Sequence, residues 1–156
     1  MSDLIERAAR FAAAAHEGQK RKYTGEPYMS HCNAVAAAVQ VASADEPTVA
    51  AAYLHDTLED TATKYDDLVR EFGTEVADLV VELTHVYTAG DYPTLSRKER
   101  KAKECARLAK VSLRAKLIKR ADLAHNSRTI EKYDPKFAAV WLPENGRPAL
   151  GAVRQH

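Results

Sequence analysis

The sequence predicts an all-α fold. Apolar residues recur at three- and four-residue spacing in successive segments, and no stretch of useful length alternates apolar and polar residues as a half-buried strand does. Glycine and proline separate these periodic segments and so indicate the helix boundaries. A chain of 156 residues has the length of one domain and can bury a core. We therefore expect a compact multi-helix bundle in which residues 1–156 form a single domain.

The first helix is predicted to begin at a Ser2 or Asp3 cap and to end at about Glu17, because Gly18 follows. His16 lies in its last turn. A histidine at that position either belongs to a site or stabilises the helix C-terminus, and the second role is the commoner one.

A basic loop, residues 19–28, follows the first helix and contains Gly25 and Pro27. Such a loop can hold an anion, although a solvated connector is the commoner explanation for a run of charges. A second helix is predicted to begin near Ser30, with His31 in its first turn. A single histidine there is more often a core or capping residue than a ligand, so His31 becomes a candidate only alongside other ligand-type residues.

The third predicted helix runs from Thr48 to about Glu59 and ends in a charged cluster that also contains His55, Asp56 and Asp60. On a continuous helix, Glu59 would lie one turn above His55 and Asp60 one turn above Asp56. The neighbouring residues are apolar, and charges near a core need partners or a metal. Taken alone, the cluster is explained equally well by a helix C-terminus whose charges reach water.

A helical hairpin is predicted next, with a short helix ending at Gly73 and a second helix reaching about Thr84. The segment 86–96 contains Gly90 and Pro93 and is predicted to be a loop; whether it closes over a cleft stays open. A highly charged helix follows from Arg97 to Leu108. Its basic residues indicate a solvated face rather than the rim of an anion site; they are Lys98, Arg100, Lys101 and Lys103.

A long helix from Ser112 to Ile130 carries a second group of polar residues. Asp122 and Asn126 are four residues apart and Thr129 is three further on, so the three stack along one helix face. A buried acid beside an amide needs a cation or a ligand. A last helix is predicted from an Asp134-Pro135 start, and it should break or kink at Pro143, Gly146 and Pro148.

Composition argues against several classes of function. The 23 basic and 22 acidic residues give a formal charge of +1, so no overall field indicates DNA, RNA or a membrane surface as partner. No apolar run could span a bilayer, and the N-terminus has acids where a signal peptide would be basic and then apolar. Cys32 and Cys105 lack metal-type spacing and are expected to be core residues. These features predict a cytoplasmic protein.

Four residues on three predicted helices offer mixed imidazole and carboxylate chemistry: His31, His55, Asp56 and Asp122. Such a set suits Mn²⁺, Fe²⁺ or Zn²⁺ better than Ca²⁺ or a thiolate zinc site. Four protein ligands leave open positions on a six-coordinate ion, as a catalytic metal requires. Spacing alone does not establish the site.

The order His31, His55-Asp56, Asp122 resembles the H…HD…D pattern of HD-domain phosphohydrolases. More narrowly, four segments resemble the hydrolase domain of the RelA/SpoT group and its stand-alone small alarmone hydrolases. The resemblance covers the chain from about Leu4 to Leu142, and the combination is more specific than the common His-Asp dipeptide. The four segments are 14–22, 25–31, 54–61 and 119–128.

The resemblance implies a manganese-dependent pyrophosphohydrolase that removes the 3′-pyrophosphate from (p)ppGpp and returns GDP or GTP. No synthetase domain is expected, and a homo-oligomer is left open. By position, the resemblance implies that the four residues above hold the metal and that Glu59 and Asp60 activate the water and transfer protons. It implies that Arg21, Lys22, Asn126 and Thr129 contact the guanosine polyphosphate substrate.

Two departures keep the substrate open. Tyr23-Thr24 makes the loop after the basic pair one residue longer than in the long bifunctional enzymes, and residues 134–138 are more similar to a bacterial branch of small HD proteins. Removal of the 2′-phosphate from NADPH, hydrolysis of another nucleotide, and nucleotide sensing without catalysis are therefore alternatives. The complete set of ligands and acids favours catalysis over sensing.

Overall fold

Helices account for nearly all the regular structure of residues 2–145, the part of the chain that this computed structural model describes. Within that range the only β-type pairing is an isolated bridge between Lys20 and Pro27, so the all-α prediction is confirmed. The helices are α1 Asp3–Ala15, α2 Met29–Ala42, α3 Glu46–Leu54, α4 Thr57–Asp60, α5 Tyr65–Phe72, α6 Thr74–Leu83, α7 Arg97–Leu108, α8 Leu113–Tyr133 and α9 Pro135–Asn145.

Helix α3 lies at the centre of the core. Every residue from Thr48 to Leu54 is buried, and the helix packs against α1, α2, α6 and α8. Its three consecutive alanines, residues 50–52, let the neighbouring helices approach closely, and a helix that is apolar all round belongs in an interior. The C-terminal end of α3 therefore places the residues that follow it, His55 and Asp56, between several helices.

The prediction of one continuous helix from Thr48 to Glu59 is wrong. Helix α3 ends at Leu54, Asp56 has φ −105° and ψ 3°, and the separate single turn α4 begins at Thr57. The hydroxyl of Thr57 donates to the Leu54 carbonyl at 2.8 Å and so takes the place of a helical amide. Glu59 therefore does not stack above His55 on one helix face.

The predicted hairpin of α5 and α6 is confirmed. The two helices are separated only by Gly73, whose φ of +88° favours glycine, and they pack against each other.

Two smaller expectations differ from the structure. Pro143 does not end α9, which continues to Asn145, where the Asn145 amide donates to the Trp141 carbonyl; Gly146 and Pro148 lie outside the described residues. Cys32 is buried as predicted, whereas Cys105 is only half-buried, and neither forms a disulfide. No helix among the described residues is long and apolar enough to cross a membrane.

Replacing Leu68 with alanine tests the packing of α5 on α6. Leu68 is fully buried in the main core, so Leu68→Ala should lower the free energy of unfolding by about 2–5 kcal/mol through lost burial and the cavity left behind. Urea denaturation measures the effect. Val41→Ala, at a side chain that is 90% exposed, should change it by less than about 0.5 kcal/mol. Equal effects of the two changes would contradict the described core.

Candidate active site

Four ligand-type side chains meet where α2, α3 and α8 converge. His31 comes from the first turn of α2, His55 and Asp56 from the break after α3, and Asp122 from the middle of α8. One nitrogen or oxygen from each lies within 4.8 Å of the others. The structure therefore brings together the four residues that the sequence suggested as metal ligands.

The distances within this cluster are short. Nε2 of His31 is 2.9 Å from Oδ1 of Asp122 and 3.7 Å from Oδ2 of Asp56. Nε2 of His55 is 3.0 Å from Oδ2 of Asp56 and 3.4 Å from Oδ1 of Asp122. Both histidines and Asp122 are buried, and Asp56 is nearly so.

The surroundings of His55 fit a bound cation. Its Nδ1 donates to the Ala52 carbonyl at 2.7 Å, so the proton of the neutral ring lies on Nδ1 and the lone pair of Nε2 faces the two carboxylates. That Nε2 is buried and has no hydrogen-bond partner. Burial lowers the pKa of His55, but Asp56 and Asp122 outweigh it and hold that pKa well above its ordinary value. The cluster thus attracts positive charge and suits a divalent metal.

Neighbouring side chains orient the residues of the cluster. Nζ of Lys119 donates to Oδ2 of Asp122 at 3.0 Å and the Asn126 amide donates to Oδ1 at 3.1 Å. Burial raises the pKa of Asp122, but Lys119 and the two histidines outweigh it, so that pKa is well below the ordinary value. Sequence reasoning missed Lys119, although its position three residues before Asp122 was a usable signal.

Two further side chains act on the other ligands. The Tyr28 hydroxyl donates to Oδ2 of Asp56 at 2.5 Å. Nδ1 of His31 lies 2.8 Å from Nδ1 of His125, which can accept its proton and so leave Nε2 of His31 free to bind a metal. Neither Tyr28 nor His125 was singled out from the sequence.

Glu59 and Asp60 lie beside the cluster on α4. Both line a cavity of about 220 Å³ together with Asp56 and Asp122. Burial would raise the pKa of Glu59, but hydrogen bonds from His85 outweigh it and lower that pKa. Burial and the charge of Asp56 raise the pKa of Asp60, whose Oδ2 accepts a 3.4 Å hydrogen bond from Gln19. The two acids are therefore close together, but the pKa of Glu59 is lowered and that of Asp60 is raised.

Three of the four expected substrate contacts lie together. The Arg21 guanidinium donates to Oδ1 of Asn126 at 3.0 Å and to Oγ1 of Thr129 at 3.3 Å, and Asn126 lines the cavity. Lys22 is exposed, and its ammonium lies over the ring of Tyr23, 5.3 Å from the centroid. The structure thus joins Arg21, Asn126 and Thr129 and does not join Lys22 to them.

His16 is buried rather than simply placed at a solvated helix end. It caps α1, its Nδ1 lies 2.8 Å from the side-chain Oε1 of Gln19, and its ring centroid lies 4.9 Å from that of Tyr28. It therefore supports Gln19 and Tyr28, which in turn contact the acids Asp60 and Asp56.

The expectation of a solvated basic face on α7 holds for Lys98 and Lys103 but is wrong for Arg100 and Lys101, which are half-buried and line a cavity. Lys101 is half-buried and lines both the first cavity and a second one of about 320 Å³. Burial lowers the pKa of Lys101, and the nearby charges of Lys119 and Arg97 lower it further. The second cavity also contains Arg97 and Arg100, together with Glu59 and Glu104. Its three basic side chains outnumber its two acids, so we call it the basic compartment, and it adjoins the acidic one.

The family profile described as an HD domain matches residues 8–141, a span that includes all four residues of the cluster and both neighbouring acids. The chain belongs to the HD-domain family. The family expected from the sequence motifs is thereby confirmed.

Relatives of this HD domain include short and long proteins. A Xenopus tropicalis protein named guanosine-3′,5′-bis(diphosphate) 3′-pyrophosphohydrolase MESH1 is 36% identical over 136 residues, which are 85% of this chain and 73% of that protein. A Myxococcus xanthus protein named GTP pyrophosphokinase is 36% identical over 132 residues, 83% of this chain. The HD domain spans only 17% of the length of that long relative.

A solved structure supports the same relationship. A metazoan ortholog of SpoT, described as hydrolysing ppGpp and acting in starvation responses, matches with a TM-score of 0.86 and 29% sequence identity. The match covers 99% of this chain and 88% of the other. The RelA/SpoT type of HD domain is therefore the correct subgroup for the fold described here.

Removing one carboxylate tests the metal centre. Asp56→Ala should abolish binding of divalent metal, because it deletes one of the two acids that face His55 Nε2. Isothermal titration of metal-free protein with MnCl₂ measures the binding, and circular dichroism checks the fold. Asp66→Ala removes an exposed acid on α5 and should bind as the unmodified protein does. Unchanged binding by Asp56→Ala would exclude this cluster as the centre.

Proposed function

We propose that the chain is a metal-dependent pyrophosphohydrolase that removes the 3′-pyrophosphate from (p)ppGpp, giving GDP or GTP and pyrophosphate. The observation that carries the proposal is the four-ligand cluster beside two carboxylates whose pKa values are shifted in opposite directions. The names of the MESH1 relatives and of the SpoT ortholog support the choice of substrate.

We propose that His31, His55, Asp56 and Asp122 hold the metal and that the native ion is Mn²⁺. Two imidazoles and two carboxylates suit a six-coordinate first-row ion and leave positions open. When bound, the metal supplies Lewis-acidic charge beside the scissile phosphorus. The hydrogen bonds from Ala52, Lys119, Asn126 and Tyr28 described above would keep the ligand atoms aimed at it.

The two neighbouring acids divide the proton transfers. Glu59, whose pKa is lowered, is ionised at neutral pH and accepts a proton from the attacking water as the new oxygen–phosphorus bond forms. Asp60, whose raised pKa makes it the more readily protonated of the two acids, is the group proposed to pass a proton to the ribose 3′-oxygen as the phosphorus–oxygen bond breaks. The leaving group is then a neutral hydroxyl, and the cavity is reset when the two acids exchange protons with solvent.

The nucleotide would lie across both compartments. Arg21, held flat by Asn126 and Thr129, presents a planar guanidinium to the base or ribose, and Lys22 is proposed to contact the outer part of the substrate. Arg97, Arg100 and Lys101 would bind the phosphates that are not cleaved. A nucleotide with phosphates at two positions of its ribose matches an acidic compartment joined to a basic one.

We further propose that residues 1–156 act as a single HD-type domain in the cytoplasm, on a small nucleotide rather than on DNA, RNA or a membrane. The nearly balanced charge of the chain supports this. Homo-oligomers are compatible with the proposal.

The deciding experiment is a panel of ppGpp, pppGpp, NADPH and GTP incubated with the Mn²⁺-loaded protein. Pyrophosphate should be released from ppGpp and pppGpp, and phosphate release from NADPH should be slower. Glu59→Gln should retain metal, but its kcat should fall roughly 10²- to 10⁴-fold. This is the rate enhancement that a positioned acid–base group typically contributes. Glu131→Gln, at an exposed glutamate of α8, is the matched control and should keep full activity. Folded, metal-loaded protein that leaves ppGpp intact would refute the substrate assignment.

Lys101 provides a separate test of the basic compartment. Lys101→Ala should raise KM for ppGpp roughly ten- to hundredfold with little change in kcat, because it removes one charge-assisted contact of about 1.5–3 kcal/mol to a phosphate that does not react. Lys98→Ala, at an exposed position of the same helix, should leave KM unchanged. A loss confined to kcat would place Lys101 in the chemical step instead.

A further inference from the structure

His85 makes two hydrogen bonds to one oxygen of Glu59. Both its backbone N–H and its ring Nδ1 donate to Oε1 of Glu59, each at 2.7 Å. The two residues are 26 positions apart, on α4 and on the segment that follows α6. Their side chains are about one third exposed, and both line the acidic and the basic cavities.

This contact fixes a side chain that its own helix cannot hold. Helix α4 is a single turn of four residues, and the partly exposed Glu59 side chain lines the cavity. Two donors that converge on Oε1 remove most of the rotational freedom of the carboxylate and leave Oε2 as the oxygen available to a water. We propose that His85 is the positioning residue that aims Glu59 at the attacking water, an inference that rests on the function proposed above.

The segment that carries His85 is itself anchored. The buried carboxylate of Glu104 accepts the backbone N–H groups of Val86 and Tyr87 at 2.8 and 2.9 Å. Arg107 pairs with Glu104 at 2.9 Å and also donates to the Glu82 carbonyl at 2.8 Å. His85 is therefore presented to Glu59 from a fixed backbone, as a positioning role requires.

Donation from Nδ1 has a consequence for the ring. A neutral His85 in this contact must carry its proton on Nδ1 and not on Nε2, because an ionised carboxylate can only accept. Histidine tautomers are distinguished by the ¹⁵N chemical shifts of the ring. The contact can therefore be tested without metal, substrate or turnover.

Other charges around Glu59 stay constant when only His85 is changed. Asp60 lies on the same helix as Glu59, and Asp56 lies just before that helix. Helix α8 contributes Lys119. Helix α7 contributes four further charges: Arg97, Arg100, Lys101 and Glu104. Burial and the charge of Asp56 raise the pKa of Glu59, whereas His85 lowers it. Loss of the ring should therefore raise the pH at which Glu59 becomes ionised.

The first measurement is the ring tautomer of His85 in metal-free protein, at a pH where the ring is neutral. The unmodified protein should show the Nδ1–H form, and Glu59→Ala should convert His85 to mainly Nε2–H. An Nε2–H ring in the unmodified protein overturns the proposal. Because no substrate is present, this result stands whether or not ppGpp is hydrolysed.

The second measurement is kcat against pH, at saturating substrate and Mn²⁺. His85→Ala should lower kcat about tenfold, part of the roughly 10²- to 10⁴-fold due to a positioned acid–base group, with KM unchanged. The acid limb of the profile, where kcat falls as Glu59 becomes protonated, should move up by about one pH unit in His85→Ala. His85→Asn keeps a donor near the position of Nδ1 and should recover most of kcat, with a smaller pH shift because it carries no charge.

Val86→Ala is the matched control. It alters an exposed side chain on the same segment while keeping the backbone donor to Glu104, so kcat and the acid limb should stay as in the unmodified protein. A fall in kcat for His85→Ala without movement of the acid limb, or equal losses for His85→Ala and His85→Asn, overturns the positioning role. If the unmodified protein shows the Nδ1–H ring but leaves ppGpp intact, the substrate assignment is refuted and the His85–Glu59 contact is supported.

Discussion

The hydrogen bond from the His55 ring to the Ala52 carbonyl is the interaction on which the site depends. It lies in the core and uses the Nδ1 proton in a hydrogen bond to the last turn of α3. The lone pair of Nε2 therefore faces Asp56 and Asp122. Without a positive charge between them, a lone pair and two carboxylates at these distances would repel one another. The arrangement is therefore stable only with a cation or a proton, which explains why the cluster has the character of a metal centre.

Packing around α3 supplies the other half of the centre. Three consecutive alanines in the buried part of α3, residues 50–52, let α2 and α8 pack closely against it, and these helices contribute His31 and Asp122. The fold and the site thus use the same residues, since the break after Leu54 both ends the central helix and exposes His55 and Asp56 to their partners. A change in core volume near this break would alter the spacing of the ligands.

Sequence reasoning was sufficient to single out the four clustered residues because their order along the chain is a family pattern, and the helical period places His31 and Asp122 on inward faces. It was insufficient for the placement of Glu59, which was expected on the same helix as His55. Periodicity cannot reveal that the Thr57 hydroxyl bonds to the Leu54 carbonyl where the helix breaks. Lys101 was misjudged for a related reason. Whether a long charged side chain is solvated depends on what packs beside its helix, and here α9 packs against α7. His85 carried no signal, since its partner lies 26 residues away.

The meeting of an acidic and a basic compartment at Glu59 and Lys101 has a consequence for the order of events. Under the function proposed above, the carboxylates of the acidic side would repel a phosphate until a cation is bound, whereas the basic side would attract one. We therefore expect ordered binding, with the ion first. Scarcity of the ion would then limit capture of the nucleotide as well as its cleavage, and the domain would respond to the availability of metal before it responds to its substrate.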